Sequence, residues 1–261
     1  MTRLHKGKAT RRITGALALL FALMAMGFAY SAFAPNPQTA AAAPGSAEEI
    51  AKGRALYQTS CITCHGSNLQ GVQGRGPSLV GVGAASVYFQ VSTGRMPFTA
   101  NGAQSPRKDP MFNEDQVNQL GAYIQSNGGG PTVPGGDLQN TADLAKGGEL
   151  YRLNCASCHN FTGTGGALSQ GKYAPPLDAA TDKQVYAAMA SGPENMPRFS
   201  DAQLTPDEKK AIIAFVQNNK ATVDPGGLAL GGFGPAPEGL FAFLVGMGAI
   251  VALTLWMGAR A

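Results

Sequence analysis

The sequence predicts a mostly α-helical fold in which two similar small domains follow one another between two apolar terminal segments. Three observations support this prediction. A set of residues recurs in the same order in the two halves of the chain, an uncharged apolar stretch lies near each end, and strand-like alternation of useful length is lacking. The predicted helices are separated by segments rich in Gly and Pro, which favour loops.

Residues 1–34 combine a basic tip with an apolar segment. Five Lys or Arg side chains lie in the first twelve positions, and the 22 residues of 13–34 carry no charge. This length is enough to span a bilayer, so we expect a retained anchor. A cleaved signal peptide is the alternative, because Ala32-Phe33-Ala34 has the small-x-small form of a cleavage site.

The middle of the chain divides at its breaker-rich segments. Residues 35–46 are rich in Ala and Pro and predict a linker. Domain 1 is then expected at residues 47–127 and domain 2 at residues 138–222, with the Gly- and Pro-rich residues 128–137 as the hinge between them. Domains of this size have little hydrophobic core of their own, so a large buried cofactor would help to stabilise each one.

Each predicted domain opens and closes with a helix. Ser46 and Thr205 are suitable N-caps, and Pro206 suits the first helical position. The expected helices are 47–60, 114–126, 141–154 and 206–219.

The C-terminal end predicts a second membrane span. Residues 223–239 form a Gly/Pro-rich linker, and residues 240–257 are 18 uncharged, mostly apolar residues. A buried helix of a soluble protein would need a large fold around it. Basic residues flank both apolar segments, which predicts a multi-pass protein of the cell membrane with cytoplasmic termini and extracytoplasmic domains.

The charge distribution argues against a nucleic-acid-binding protein. The formal net charge is +4, but six of the 20 Lys and Arg residues lie at the two ends. The remaining 14 face all 16 acidic residues, a balance of −2 in the part expected to fold. Binding to nucleic acid would require a basic patch there.

The pattern Cys-x-x-Cys-His occurs twice and uses all four cysteines and two of the three histidines. The residues are Cys61, Cys64 and His65 in domain 1, and Cys155, Cys158 and His159 in domain 2. This pattern is typical of covalent haem c attachment. Each thiol can form a thioether to a haem vinyl group, and the histidine can then become an axial ligand of the iron. The sequence therefore predicts two covalently bound haem c groups.

Three other interpretations of the cysteines are weaker. A structural zinc site favours two Cys-x-x-Cys pairs about 15–20 residues apart, whereas these lie about ninety residues apart. A thioredoxin-like motif expects a βαβ surrounding. Disulfides suit an extracytoplasmic protein but do not explain the paired histidines.

The second axial ligand can be argued by elimination. The remaining histidine, His5, lies in the basic tip, so a second histidine ligand within a domain is not available. Met/His ligation is the alternative found in cytochromes c. Met96 and Met196 each precede a proline and follow the motif histidine by 31 and 37 residues. Met111 and Met189 are the rivals, and any of these methionines could instead fill space in a core.

A ligating histidine usually donates its other ring N–H to a carbonyl or carboxylate. Pro77 and Pro175 lie where such a carbonyl is expected, although both could be ordinary loop prolines.

On these motifs, each half resembles a class I cytochrome c domain, and the whole chain resembles the dihaem cytochrome c subunits of actinobacterial cytochrome bc1 complexes. The features that carry the resemblance are the two Cys-x-x-Cys-His motifs, the two Met-Pro pairs, the hinge and the apolar ends. The resemblance implies an electron-transfer subunit of a quinol–cytochrome c reductase (a translocase) that works with cytochrome b and Rieske iron–sulfur subunits. It also implies delivery of electrons to a cytochrome c oxidase within a supercomplex.

Two other functions stay open. One is a membrane-anchored dihaem shuttle that serves a different oxidase or reductase. The other is an enzyme such as a dihaem peroxidase, although haem catalysis needs an open coordination site and each domain offers a methionine that would close it. We expect the chain itself to contain no catalytic residue.

Overall fold

The computed structural model describes residues 4–33, 45–99, 102–222, 230 and 235–260. Its described part is mostly helical, which confirms the predicted class. The helices are α1 (Leu4–Phe33), α2 (Ala47–Ser60), α3 (Ile62–His65), α4 (Gly83–Ser92), α5 (Glu114–Gln125), α6 (Leu144–Asn154), α7 (Ala156–His159), α8 (Asp182–Ser191), α9 (Pro206–Ala221) and α10 (Pro235–Gly258). Two short antiparallel strands, β1 (Gly166–Ala167) and β2 (Tyr173–Ala174), and the 3-10 turns Thr141–Asp143 and Ser169–Gly171 complete the list.

The two terminal helices are long and apolar enough to cross a membrane. The candidate spans are Ile13–Tyr30 within α1 and Pro235–Gly258, and neither has buried residues. Helix α10 starts five residues before the predicted residue 240, because prolines are tolerated in a first helical turn. Of the predicted linkers 35–46 and 223–239, residues 35–44, 223–229 and 231–234 lie outside the described part.

Helices α2 and α9 begin at the predicted residues, and both predicted N-caps are confirmed. The Ser46 side chain accepts from the backbone N–H of Glu49, and Thr205 caps Glu208 in the same way. The helix expected at 141–154 instead begins with a 3-10 turn and becomes α-helical at Leu144.

Helix α4 was not predicted from the sequence. Its residues, GAASVYFQVS, include β-branched and aromatic side chains that favour strands, and the preceding Val82 makes no side-chain cap. Packing stabilises the helix instead, since Ala85, Val87, Tyr88 and Val91 are buried. The equivalent α8 of domain 2 has a full capping box at Thr181.

The first and last helices of each domain cross closely at a glycine. In domain 1, α2 packs on α5, and a Cβ on Gly53 would overlap the backbone carbonyl of Gln119. In domain 2, α6 packs on α9, and a Cβ on Gly147 would overlap the carbonyl of Ala211. The repeated Ala-Lys-Gly sequence is thus explained by a repeated backbone contact.

The two domains pack together through α4 and α8, and their buried residues form one cluster. Polar contacts surround this packing. Gln184 on α8 donates to the carbonyl and hydroxyl of Ser92 at 3.3 and 3.1 Å, and Lys183 pairs with Glu114 at 2.8 Å. The helices that lead to the two Met-Pro pairs therefore form the domain interface.

Candidate functional site

Each Cys-x-x-Cys-His motif forms a single helical turn that directly follows a longer helix. The backbone N–H of His65 donates to the carbonyl of Cys61 at 3.0 Å, and that of His159 donates to Cys155 at 2.8 Å. The residue after each histidine has a positive φ, which turns the chain away.

A tyrosine one turn before each motif holds the residue after it. Tyr57 Oη donates to the carbonyl of Gly66 at 2.5 Å, and Tyr151 Oη donates to the carbonyl of Asn160 at 2.8 Å. Each motif is therefore joined to the preceding helix at its start by the chain and at its end by the tyrosine hydrogen bond. These two connections restrict where the motif side chains point.

Both motif histidines bond to the predicted proline carbonyls. His65 Nδ1 lies 2.8 Å from the carbonyl oxygen of Pro77, and His159 Nδ1 lies 3.0 Å from that of Pro175. Because a carbonyl can only accept, these bonds require a proton on Nδ1. Each Nε2 is then a lone-pair donor available to a metal.

None of the four cysteines forms a disulfide, so all four thiols are available for covalent attachment. Burial raises the pKa of Cys61 to about 11 and that of Cys155 to about 12, and the neighbouring motif cysteine adds to both shifts. Burial also lowers the pKa of His159, which the bond to Pro175 partly opposes. Burial therefore favours the neutral forms of Cys61, Cys155 and His159, and the neutral imidazole is the form that binds a metal.

In domain 2 the predicted site residues meet around one cavity. Apolar side chains from α8 and α9, including Val185, Ile212 and Val216, form part of its wall. The site residues that line it are Cys155, Cys158, His159, Pro175 and Met196. Two thiols, an imidazole and a thioether against apolar walls form the donor set that a covalent haem c requires, so the residues fit this cofactor.

In domain 1 the same backbone turn and the bond from His65 to Pro77 recur, and Cys61 and Cys64 are both half-buried. Met96 is half-buried against the hydrophobic core, as is Met196. The approach of Met96 to His65 stays a prediction.

The rival methionines differ sharply in environment. Met111 is 68% exposed, whereas Met189 is 1% exposed and lines the same cavity as Met196. Met189 projects from within α8, while Met196 lies on the loop after it. Met189 thus has the burial of a core side chain, whereas Met196 shares with Met96 its half-buried position and the proline that follows it.

Four side chains of domain 1 also line the cavity of domain 2: Phe89, Arg95, Gln104 and Arg107. None of these four was predicted from the sequence. Burial lowers the pKa of Arg95, Arg107 lowers it further, and Glu194 opposes this. One sequence signal was available, since Arg95 interrupts the repeat where domain 2 has Asn195.

Comparison with protein families agrees with the two-domain division. Residues 50–128 match the family model described as cytochrome c, and residues 142–216 match that of cytochrome c oxidase, cbb3-type, subunit III. The predicted tandem of two cytochrome c domains between apolar helices is confirmed, and such domains carry covalently bound haem c.

Full-length relatives are similar over nearly all of the chain. The cytochrome bc1 complex cytochrome c subunit of Mycobacterium tuberculosis is 54% identical over 96% of this chain and 92% of the relative. The subunit of the same description from Corynebacterium diphtheriae is 48% identical over all of both chains. A cbb3-type cytochrome c oxidase subunit of Azospirillum is 30% identical over 50% of this chain and 47% of its own length.

Proposed function

We propose that this chain, which belongs to the family of cytochrome bc1 complex cytochrome c subunits, connects two specific partners. As a member of that family it is an electron-transfer subunit that works with the other components of the complex. It receives electrons from the Rieske iron–sulfur subunit, beside cytochrome b, and delivers them to a terminal cytochrome c oxidase. As part of a quinol–cytochrome c reductase it serves a translocase, while the chain itself is the carrier.

Two haem c groups, one per domain, supply the one-electron redox chemistry. The thiols of Cys61 and Cys64 hold the first, with His65 and Met96 as its axial ligands. In domain 2 the corresponding residues are Cys155, Cys158, His159 and Met196. The observation that carries this assignment is the cavity of domain 2, around which all four of these side chains meet.

The same donor set favours a carrier over an enzyme. A methionine on the second axial position closes the iron to small ligands, and Met/His ligation raises the reduction potential. The hydrogen bonds to Pro77 and Pro175 hold the imidazole rings in one orientation, so little has to rearrange when an electron arrives. Two closed haem sites in domains that pack against each other suit an electron relay.

The apolar helices at both ends hold this relay in the cell membrane. The basic flanks place both termini in the cytoplasm and the two domains on the extracytoplasmic side. Reporter fusions should find residue 129 outside and residue 261 inside, and the opposite activity at either position would reject this topology. N-terminal sequencing tests the retained anchor, since a mature chain that starts at Pro35 would leave a single span.

The partners are tested by quinol-driven oxygen consumption in a purified assembly with no soluble cytochrome c added. We expect oxygen uptake in the unmutated assembly, because a membrane-held carrier in a supercomplex needs no diffusing substitute. Cys158→Ala should stop oxygen uptake while quinol still reduces the remaining haem, if domain 1 faces the Rieske subunit and domain 2 the oxidase. Ser157→Ala is the matched control and should leave respiration intact.

Four results would contradict the proposal. Dependence on an added soluble cytochrome, or purification away from every bc1 and oxidase subunit, would favour an independent shuttle. Quinol that fails to reduce the remaining haem in Cys158→Ala, but still reduces it in Cys64→Ala, would exclude the proposed direction, because domain 2 would then face the Rieske subunit. Rapid peroxide turnover by the unmutated chain would favour a peroxidase.

A further inference from the structure

The cavity of domain 2 is completed by domain 1, and the side chains that cross the interface are partly cationic. Arg95 and Arg107 both line it. Glu194 lines it as well, but its Oε1 accepts from the backbone N–H of Ser105 at 3.1 Å. The cavity lining therefore carries the positive charges of two arginines, and neither forms a direct ion pair with the carboxylate of Glu194.

Arg95 is the buried one of these cations. It is 5% exposed, and its Nη1 is inaccessible to water and has no hydrogen-bond partner among the described residues. Its guanidinium carbon lies 4.9 Å from the centre of the Phe89 ring, and Ser105 Oγ donates to its backbone carbonyl at 2.9 Å. The side chain is thus held in place although one of its donors lacks an acceptor. A buried donor without an acceptor is costly, so an anionic group in the cavity would complete the arrangement.

We propose that Arg95 of domain 1 donates to a propionate carboxylate of the haem c bound in domain 2. The inference rests on the proposed function, since haem c brings two propionates that are anionic at neutral pH. A planar guanidinium matches a carboxylate with two parallel N–H donors. Arg107, whose Nη2 donates to Gln184 at 3.0 Å, stands at the same cavity and adds to the positive field.

This contact would join the two haem sites through one peptide bond. Arg95 immediately precedes Met96, the proposed axial ligand in domain 1, so a single loop would hold the first iron and anchor the second haem. Asn195 occupies the equivalent position before Met196. A loop that carries an axial methionine therefore does not need an arginine before it. Arg95 instead serves the contact between the two domains.

The test is a redox titration of the full-length chain in its membrane assembly, with Arg95→Gln, Arg95→Lys and the control Arg75→Gln. Arg75 is exposed in domain 1 and does not line this cavity, so its substitution reproduces the change in net charge. Met196→Ala, which displaces the domain 2 couple, identifies which couple belongs to which domain. Arg95→Gln should lower the potential of the domain 2 haem relative to Arg75→Gln, because a carboxylate left without its cation stabilises the oxidised iron. Arg95→Lys keeps the charge and should produce a smaller drop.

The proposal would be overturned if the reduction potential of the domain 2 haem were the same in Arg95→Gln as in Arg75→Gln. A shift of the domain 1 couple instead, with loss of the near-infrared band of methionine ligation, would also overturn it and assign Arg95 to its own domain. If Arg95→Gln does not accumulate, Arg95→Lys decides by the same comparison. Failure of the proposed function is recognised separately, since unmutated protein would then lack two haems that resist extraction.

Discussion

The two cytochrome c domains hold their Cys-x-x-Cys-His motifs in the same way but differ in the segment that follows the Met-Pro pair. In both, a tyrosine hydroxyl donates to the carbonyl of the residue after the motif, the motif histidine bonds to a proline carbonyl, and a glycine lies at the helix crossing. Residues 98–113 separate the Met-Pro pair from α5 in domain 1, with residues 100 and 101 outside the described part, and residues 198–205 separate it from α9 in domain 2. The longer loop contributes side chains that line the cavity of domain 2.

This difference separates two kinds of constraint. What a domain needs in order to hold haem c is duplicated, because both copies must solve the same problem. The polar side chains that cross between the domains are not duplicated, although the helices that form the interface, α4 and α8, are equivalent in the repeat. Gln104 on the longer loop shows this, since its side chain bonds to both backbone groups of Tyr173, at 2.9 Å each.

The largest expected effect comes from removing a covalent attachment in one domain. Cys64→Ala and Cys158→Ala should each leave one haem per chain after acid–acetone extraction, as measured by the pyridine haemochrome assay. The domains have separate helix crossings, so the unmutated domain should keep its haem. Thr63→Ala and Ser157→Ala are the controls and should keep both. Loss of both haems from either cysteine variant would show that the domains do not load independently.

A smaller effect is expected from the axial methionines. Met96→Ala and Met196→Ala should each remove about half of the near-infrared sulfur-to-iron band, lower the potential of one haem and open that iron to carbon monoxide, because the methionine is the ligand that closes it.

Met189→Ala is the decisive control, because Met189 lines the same cavity as Met196. It should cost about 2–5 kcal/mol of stability, as loss of a buried methionine does, and keep the band. If the domain 2 share of the near-infrared band disappears in Met189→Ala and survives in Met196→Ala, then Met189 is the axial ligand and Met196 is the packing residue.

The features that the two domains share were also the ones that the sequence could predict. The haem motifs, the proline carbonyls and helix α2 were predictable, because each depends on residues close together in the chain. Pro77 and Pro175, for example, follow their histidines by only 12 and 16 positions. Repetition strengthened these predictions, since the same signal occurred twice.

Helix α4 and the role of Arg95 could not be predicted in this way. Helix α4 is stabilised by packing against α5 and α8, which local propensity does not report. Arg95 contacts Phe89 and lines a cavity whose haem motif is about sixty residues further along the chain. Contacts of that kind depend on how the domains dock, and a repeat says nothing about docking.

The smallest expected effect tests whether the duplicated scaffold is equally tight in both copies. Gly53→Ala and Gly147→Ala each add a methyl group that would overlap a backbone carbonyl on the crossing helix. Neither neighbour is a flexible side chain, so the helices must move apart. We expect each substitution to lower the free energy of unfolding by about 1–3 kcal/mol, the usual cost of overpacking.

Gly135→Ala is the matched control for this measurement, because a Cβ there would meet nothing within 4 Å. Denaturant unfolding, followed by helical circular dichroism and by the absorbance of each haem, should show an unchanged midpoint for this variant or a slightly higher one, since alanine restricts the unfolded chain. Because each glycine belongs to a different domain, Gly53→Ala should first expose the domain 1 haem and Gly147→Ala the domain 2 haem. Equal loss of both haem signals in either variant would mean that the two domains unfold as one unit, so that their interface, rather than the helix crossings, sets the stability of the pair.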